Sequence, residues 1–345
     1  MAQLRNLDFT DIYVRTDSQD ISRYSPTPRR GASVPRNLRV PEEFDEEITV
    51  LRGMLSRQQD DDFSLEFDGM RMRGSRCSLF ADQRWVALRR LPMDPPRLSE
   101  LGFRPEVLTE FLSWGRRTGL VVIGGATRVG KTTTAVGILT EFLHTFGGVA
   151  FTIEDPIEYY LQGEHGDAGY CFQRQVQEDP EWGEALKTAL RWAPRYIFLG
   201  EVRTSAAAER LLRAATSDHL VICTVHGGSV EQTLGAILQS ARAELGETAA
   251  PLLADGLCAV VHQSLPNVRP NVRILTTDPT GADPVRTAVR SGKLHMLGTQ
   301  ISQQAILRKQ GAEDTDAGTR AAARITAQPG ARGPQPAKKK GWLFS

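Results

Sequence analysis

Eight residues, Gly125-Ala126-Thr127-Arg128-Val129-Gly130-Lys131-Thr132, limit what this chain can fold into more than any other stretch, because they fit G-x-x-x-x-G-K-[ST]. The apolar run Leu120 to Ile123 precedes them, and a helical pattern from about Lys131 to Thr145 follows. A strand, a glycine-rich turn and a helix form the setting in which such a loop cradles phosphate. The glycines let the backbone curl until its N–H groups point inward, and the helix N-terminus adds about half a positive charge. Lys131 is placed to reach the β- and γ-phosphates of a nucleotide and the Thr132 hydroxyl to ligate Mg²⁺. The segment from Gly125 through Thr133 lines the phosphates. A bare glycine-rich turn is the competing reading, and the flanking strand and helix weigh against it.

Three further segments supply what such a site needs. Tyr196-Ile197-Phe198-Leu199-Gly200-Glu201 is a buried-type strand ending in an acid, as a Walker B element requires for a carboxylate near the metal and its waters. Phe151-Thr152-Ile153-Glu154-Asp155-Pro156-Ile157-Glu158 places three carboxylates at a strand end, where Pro156 turns the chain. By itself that would be a solvated acidic turn; beside a phosphate site, Glu154 can orient and deprotonate water. Leu220 to His226 is another strand, ending in a histidine one strand beyond Glu201. A lone strand-end histidine is usually structural, but this position suits a γ-phosphate contact.

Organisation follows from texture. Residues 1–100 read as a small α+β domain: a Ser/Pro/Arg-rich loop from Thr16 to Pro41, an amphipathic helix over Glu42 to Gln58, then antiparallel strands at Phe63–Phe67, Met70–Leu79 and Trp85–Leu88 with Asp68-Gly69 as a hairpin turn. A linker helix falls within 101–118. Residues 119–310 alternate short apolar strands with helices, which predicts an α/β domain with a parallel sheet. Residues 311–345 are rich in Ala, Gly, Pro, Gln and Arg and predict a disordered tail with a basic, solubilising end. Lys plus Arg (42) nearly balances Asp plus Glu (41), so no global field draws the chain to nucleic acid. The four cysteines form no C-x-x-C pair, and the Cys223/His226 spacing lacks a second pair for metal. No run of 18 apolar residues or signal-peptide layout is present, so a cytoplasmic location is expected.

Together these segments resemble the secretion ATPases of type II and type IV systems, with the pilus-retraction ATPase as archetype. Thr152 to Glu158 looks like that family's aspartate box, Leu199 to Arg203 like its Walker B, and His219 to His226 like its histidine box. Gln173 to Val176, Ala185 to Arg191 and Ala259 to Leu265 follow in matching order. The likeness is good over about Gly119 to Pro266 and faint before it. There Asp11 to Val14, Arg71 to Arg73 and Ala87 to Arg89 resemble a PAS-like domain ahead of a RecA-like one.

The resemblance implies a homohexameric ATPase using ATP and Mg²⁺, with Glu154 as general base, Glu201 as metal-side acid, and His226 sensing the γ-phosphate. Arg71, Arg73 and Arg89 become candidates for stabilising transferred charge. It also implies peripheral association with the inner membrane through components of a secretion, conjugation or pilus machine, and no direct nucleic-acid contact. The short chain without a cysteine module looks most like the ATPases of Dot/Icm-type secretion and plasmid conjugal transfer. Arg128-Val129 in the loop, Gly227 after the histidine box and Ala193-Pro194-Arg195 depart from the family pattern, which puts the turnover rate in question. A nucleotide-gated scaffold with little turnover and a DNA motor of the same core fold are the alternatives.

Overall fold

The computed structural model describes residues 3–326, apart from 19–21, 28–36, 80–81, 93–94, 203, 267–268 and 279–282. Its first part builds an antiparallel sheet from β1 (Asp11–Arg15), β2 (Arg23–Ser25), β3 (Leu38–Arg39), β4 (Asp62–Phe67), β5 (Met70–Ser78) and β6 (Arg84–Arg90), in the order β3-β2-β1-β6-β5-β4. Helix α1 (Asp45–Leu55) lays Ile48, Leu51 and Leu55 on Ile12, Val14, Met72, Val86 and Leu88. These side chains recur at helical spacing in α1 and at every second residue in the strands, so one face of each element is apolar. Asp68 and Gly69 both take positive φ, +49° and +67°, in the tight β4–β5 turn. The segment expected to be a loop, Thr16 to Pro41, contributes the two short strands β2 and β3.

The second sheet is eight-stranded. Along the chain run α2 (Pro105–Ser113), β7 (Gly119–Gly125), α3 (Lys131–Phe146), β8 (Gly148–Glu154), β9 (Gly163–His165), β10 (Gly169–Gln175), α4 (Asp179–Arg191), β11 (Tyr196–Leu199), α5 (Ser205–Ala215) and β12 (Leu220–His226). Then come α6 (Val230–Leu245), α7 (Ala249–Gly256), β13 (Leu257–Ser264), β14 (Asn271–Thr276), α8 (Pro284–Arg290) and α9 (Leu297–Thr326). The strand order is β14-β13-β7-β12-β11-β8-β10-β9.

The six central strands pair in parallel, whereas β14 and β9 pair antiparallel with β13 and β10. The parallel sheet expected from the sequence is therefore mixed at both edges. Each edge strand joins its partner through a short connection, too short for the crossover that parallel pairing requires. The central strands are buried on both faces. Val121 and Ile123 meet α2 and α3 on one side, and Leu120 and Val122 meet α4 to α8 on the other. Phe111 and Trp114 belong to this core, so α2 packs as part of the second sheet's assembly.

Helix α9 continues past Gly311, where the disordered tail was expected, to Thr326. Its Ala, Arg and Gln content favours helix; residues 327–345 of the expected tail, with its basic end, lie outside the described residues. Among the described residues no helix is long and apolar enough to cross a membrane.

Candidate nucleotide site

Parallel pairing of β7, β12, β11 and β8 brings four strand ends to one edge of the sheet, where α/β proteins place their ligands. His226 is in register with Gly125, Leu199 with Cys223, and Leu199 with Ile153. The loop after β7, Glu201 after β11, Glu154 at the end of β8 and His226 at the end of β12 therefore converge, although 101 residues separate Gly125 from His226 in sequence. They line a cleft of about 570 Å³, a size ordinary for a small-molecule site.

The phosphate loop needs its glycines. A Cβ on Gly125 would lie 2.4 Å from the backbone oxygen of Gln263 and 2.9 Å from Val129 Cγ2, so the loop could not lie against β13. Gly130 sits at φ +83° immediately before α3. Arg128 also has φ +65°, a left-handed conformation that side chains tolerate poorly. Lys131 is 9% exposed, and its Nζ donates to the backbone oxygens of Gly125 (3.1 Å) and Ala126 (2.9 Å). Burial lowers its pKa, while the negative fields of Glu201 and Glu158 oppose that shift.

Glu154 is 1% exposed. Its Oε1 accepts from Thr152 Oγ1 (2.6 Å) and Gln173 Nε2 (3.1 Å), and its Oε2 has no hydrogen-bond partner among the described residues. Desolvation raises its pKa to about 7, against hydrogen bonding from Thr152, Gln173 and the Glu158 backbone that favours the carboxylate. Glu158 accepts from the Thr132 hydroxyl and is likewise raised by burial, with Arg73 pulling the other way. Glu201 and His226 form a pair, Oε1 to Nε2, at 2.8 Å. In this arrangement His226 is held by a carboxylate at the mouth of the cleft, still 54% exposed.

Of the three arginine candidates, Arg89 lines the cleft itself together with Thr127 and Arg128, and its Nε donates to Asp11 at 2.7 Å. That bond, reinforced by Glu158, raises its pKa. Arg73 lines a smaller adjoining pocket with Arg89 and Glu158. Arg71 instead lies over the Tyr160 ring, 5.9 Å from its centroid, and lines neither pocket. Arg203 lies outside the described residues.

Two glutamines and one carboxylate join the site without having been singled out for a role from the sequence. Gln263, 2% exposed on β13, donates to Val129 O (2.7 Å) and accepts from Thr134 Oγ1 (2.8 Å), bracing the loop against the helix it opens. Gln173 holds Glu154, and Glu158 holds Thr132. Their only sequence signal was position within the family-like segments. The Cys223/His226 spacing places Cys223 in the core, where burial pushes its thiol up, and His226 on the cleft. Among the described residues no cluster of three or more His, Cys, Asp or Glu side chains could hold a metal unaided.

Residues 57–326 match the family described as Type II/IV secretion system protein, and the chain belongs to that family. It is 32% identical over 264 residues to the type IV pilus ATPase PilU of Pseudomonas aeruginosa, covering 72% of this chain and 66% of that one. Among solved structures, the pilus retraction motor PilT with bound ADP superposes with a TM-score of 0.67 at 26% identity, covering 87% of both chains. The Legionella pneumophila ATPase DotB superposes with a TM-score of 0.64 at 21% identity over 89% of both chains, a likeness of fold.

Proposed function

We propose that this member of the type II/IV secretion system family is an ATPase that hydrolyses ATP to drive a type IV secretion, conjugal-transfer or pilus machine. The observation that carries the reading is Glu154: a buried carboxyl beside the phosphate loop, one oxygen bonded, the other bare, with its pKa raised to about 7. A general base poised near the working pH combines the right protonation state with driving force for proton transfer. The type IV pilus ATPase PilU among the relatives, and the similar PilT structure with bound ADP, support the nucleotide.

The residues fit ATP with Mg²⁺. Gly125 and Gly130 let the loop lie close against Gln263, Lys131 lines the cleft, and Thr132 and Glu201 are oxygen donors on the same cleft. Those two would hold the metal together with phosphate oxygens, and when bound it supplies neutralisation of phosphate charge. Lys131 would exchange its bonds to Gly125 O and Ala126 O for phosphate. Glu154 takes a proton from the attacking water as the new oxygen–phosphorus bond forms. The bond from the γ-phosphorus to the bridging oxygen breaks, and the electron pair leaves with ADP. Glu201 orients His226, which contacts the γ-phosphate, while Arg89 and Arg73 approach from the first sheet.

The same reading takes the first sheet as a PAS-like domain and the second as RecA-like. It has the chain working as a homohexamer at the cytoplasmic face of the inner membrane, docked through machine components. Within the family the same reading groups the chain with the Dot/Icm-type and plasmid-transfer ATPases. One observation favours a nucleotide-gated scaffold instead: the loop carries the bulky Arg128 at φ +65°, a costly backbone conformation for a residue with a side chain. Phosphate release by the full chain, compared with Lys131→Ala and Glu201→Ala, separates the two. The ATPase reading expects turnover that both variants abolish. Background release from wild type together with Mg-ATP stabilisation would support the scaffold.

A further inference from the structure

We propose that Gln173 is a positioning residue of this site, whose side-chain amide locks the Glu154 carboxyl in one orientation and makes that lock depend on the docked loop 155–162. The inference rests on the hydrolytic reading above. Gln173 lies on β10 and is in register with Thr152 of β8. Its amide uses both donors and both acceptor directions. Nε2 donates to Glu154 Oε1 (3.1 Å) and Tyr159 O (3.0 Å), and Oε1 accepts from the backbone N–H of Leu161 (2.5 Å) and Gln162 (2.8 Å). Two backbone N–H groups can face only the oxygen, so the orientation of the amide is settled by its neighbours. In return, Gln162 Oε1 accepts from the Gln173 N–H at 2.8 Å.

The consequence for Glu154 is directional. Thr152 and Gln173 both bond to Oε1, so Oε2, itself buried, is left without a hydrogen-bond partner among the described residues on a carboxyl that lines the cleft. The loop that completes Gln173's bonds also touches the start of α3 and β5. Glu158 accepts from Thr132, Tyr159 OH bonds Thr133 Oγ1 at 2.9 Å, and Tyr160 lies under Arg71 of β5. Three of Gln173's four side-chain bonds come from this loop. A shift of the first sheet that lifts the loop therefore also unlocks the base. Loop docking and base orientation are one event.

Two substitutions separate the halves of this role. Gln173→Leu removes every side-chain bond, whereas Gln173→Glu keeps an acceptor for Leu161 and Gln162 and, when ionised, cannot donate to Glu154. Each is made in the full chain. Nucleotide affinity, steady-state phosphate release across pH 6–9 and hydrogen exchange at the Leu161 and Gln162 amides are measured. In both variants kcat is expected to fall about tenfold or more with KM for ATP changed less than about threefold. The acid limb of the kcat–pH profile should move to higher pH, because the lost donor favoured the carboxylate. Amide protection should fall in Gln173→Leu and persist in Gln173→Glu. An unmoved acid limb, or a loss of kcat matched by an equal loss of affinity, would overturn the positioning role. Wild type and Glu154→Gln distinguish the levels. If wild type releases no phosphate above Lys131→Ala, the hydrolytic reading and this inference both fall. If wild type turns over and Glu154→Gln does not, a failure in the Gln173 variants falls on this inference alone.

Discussion

At the scale of single residues, the site is a problem in paying for buried charge, and Glu154 shows the sign. Its pKa is 4.5 when unperturbed and about 7 in the folded chain, so the native state holds a proton that the unfolded state releases between those values. Stability contributed at this position is therefore highest below pH 4.5 and is lost as pH rises through 7. Glu154→Gln should consequently stabilise the fold at pH 8 by about 1–3 kcal/mol, from about 1.4 kcal/mol per pKa unit. The gain should shrink toward zero near pH 4.5; denaturant unfolding at both values checks it, and a gain independent of pH would refute the desolvation account. Gly125 poses a steric problem instead. Because a Cβ there meets backbone at 2.4 Å, Gly125→Ala should cost about 1–3 kcal/mol by overpacking and weaken nucleotide binding, read by thermal melting and by titration with a fluorescent nucleotide.

Among elements, the contacts that matter join pieces distant in sequence. Glu110 of α2 accepts from Trp114 Nε1 (3.3 Å) and from Thr276 Oγ1 of β14 (2.6 Å), and its Oε2 faces Arg308 Nε of α9 at 3.2 Å. Arg308 in turn donates to Ile274 O of β14 (3.1 Å), and Gln304 of α9 bonds both polar backbone atoms of Thr276. One carboxylate thus ties the linker helix, an edge strand and the last helix together. Glu110→Ala should destabilise the chain by about 2–3 kcal/mol, since Trp114 and Thr276 lose their acceptor and Arg308 its counter-charge in a mostly buried setting. Glu110→Gln, which keeps an acceptor, should cost less. Equal losses in chemical denaturation would show that the negative charge facing Arg308, not the acceptor oxygen that Gln keeps, is what counts.

Considered whole, the molecule puts its ligand cleft where two separately built sheets approach. Arg89 comes from one sheet, and Glu154, Glu201 and the phosphate loop from the other. Ligand that binds only this assembled state should stabilise all of it. Mg-ATP at a hundredfold excess over its Kd is expected to add about 2.7 kcal/mol, seen as a rise in Tm of about 2–4 °C for a chain of this size. Lys131→Ala should abolish the rise. Arg89→Ala should reduce phosphate release while leaving most of the rise, because Arg89 comes from the first sheet and not from the phosphate loop.

Much of this was legible beforehand because it is local. A P-loop states its own geometry in eight consecutive residues, strands buried on both faces read as apolar runs, and Asp68-Gly69 specifies a turn through backbone sterics alone. Glu154, Glu201 and His226 could be nominated because each ends such a run. What only the tertiary structure decided is pairing. That β13 and β14 close the sheet antiparallel, that Gln263 braces the loop, that Gln173 holds one oxygen of Glu154 and leaves the other bare, and that Arg89 rather than Arg71 reaches the cleft all depend on strand order and register. Those are set by how the whole core packs, and the fate of a buried polar atom follows from the neighbours that packing supplies.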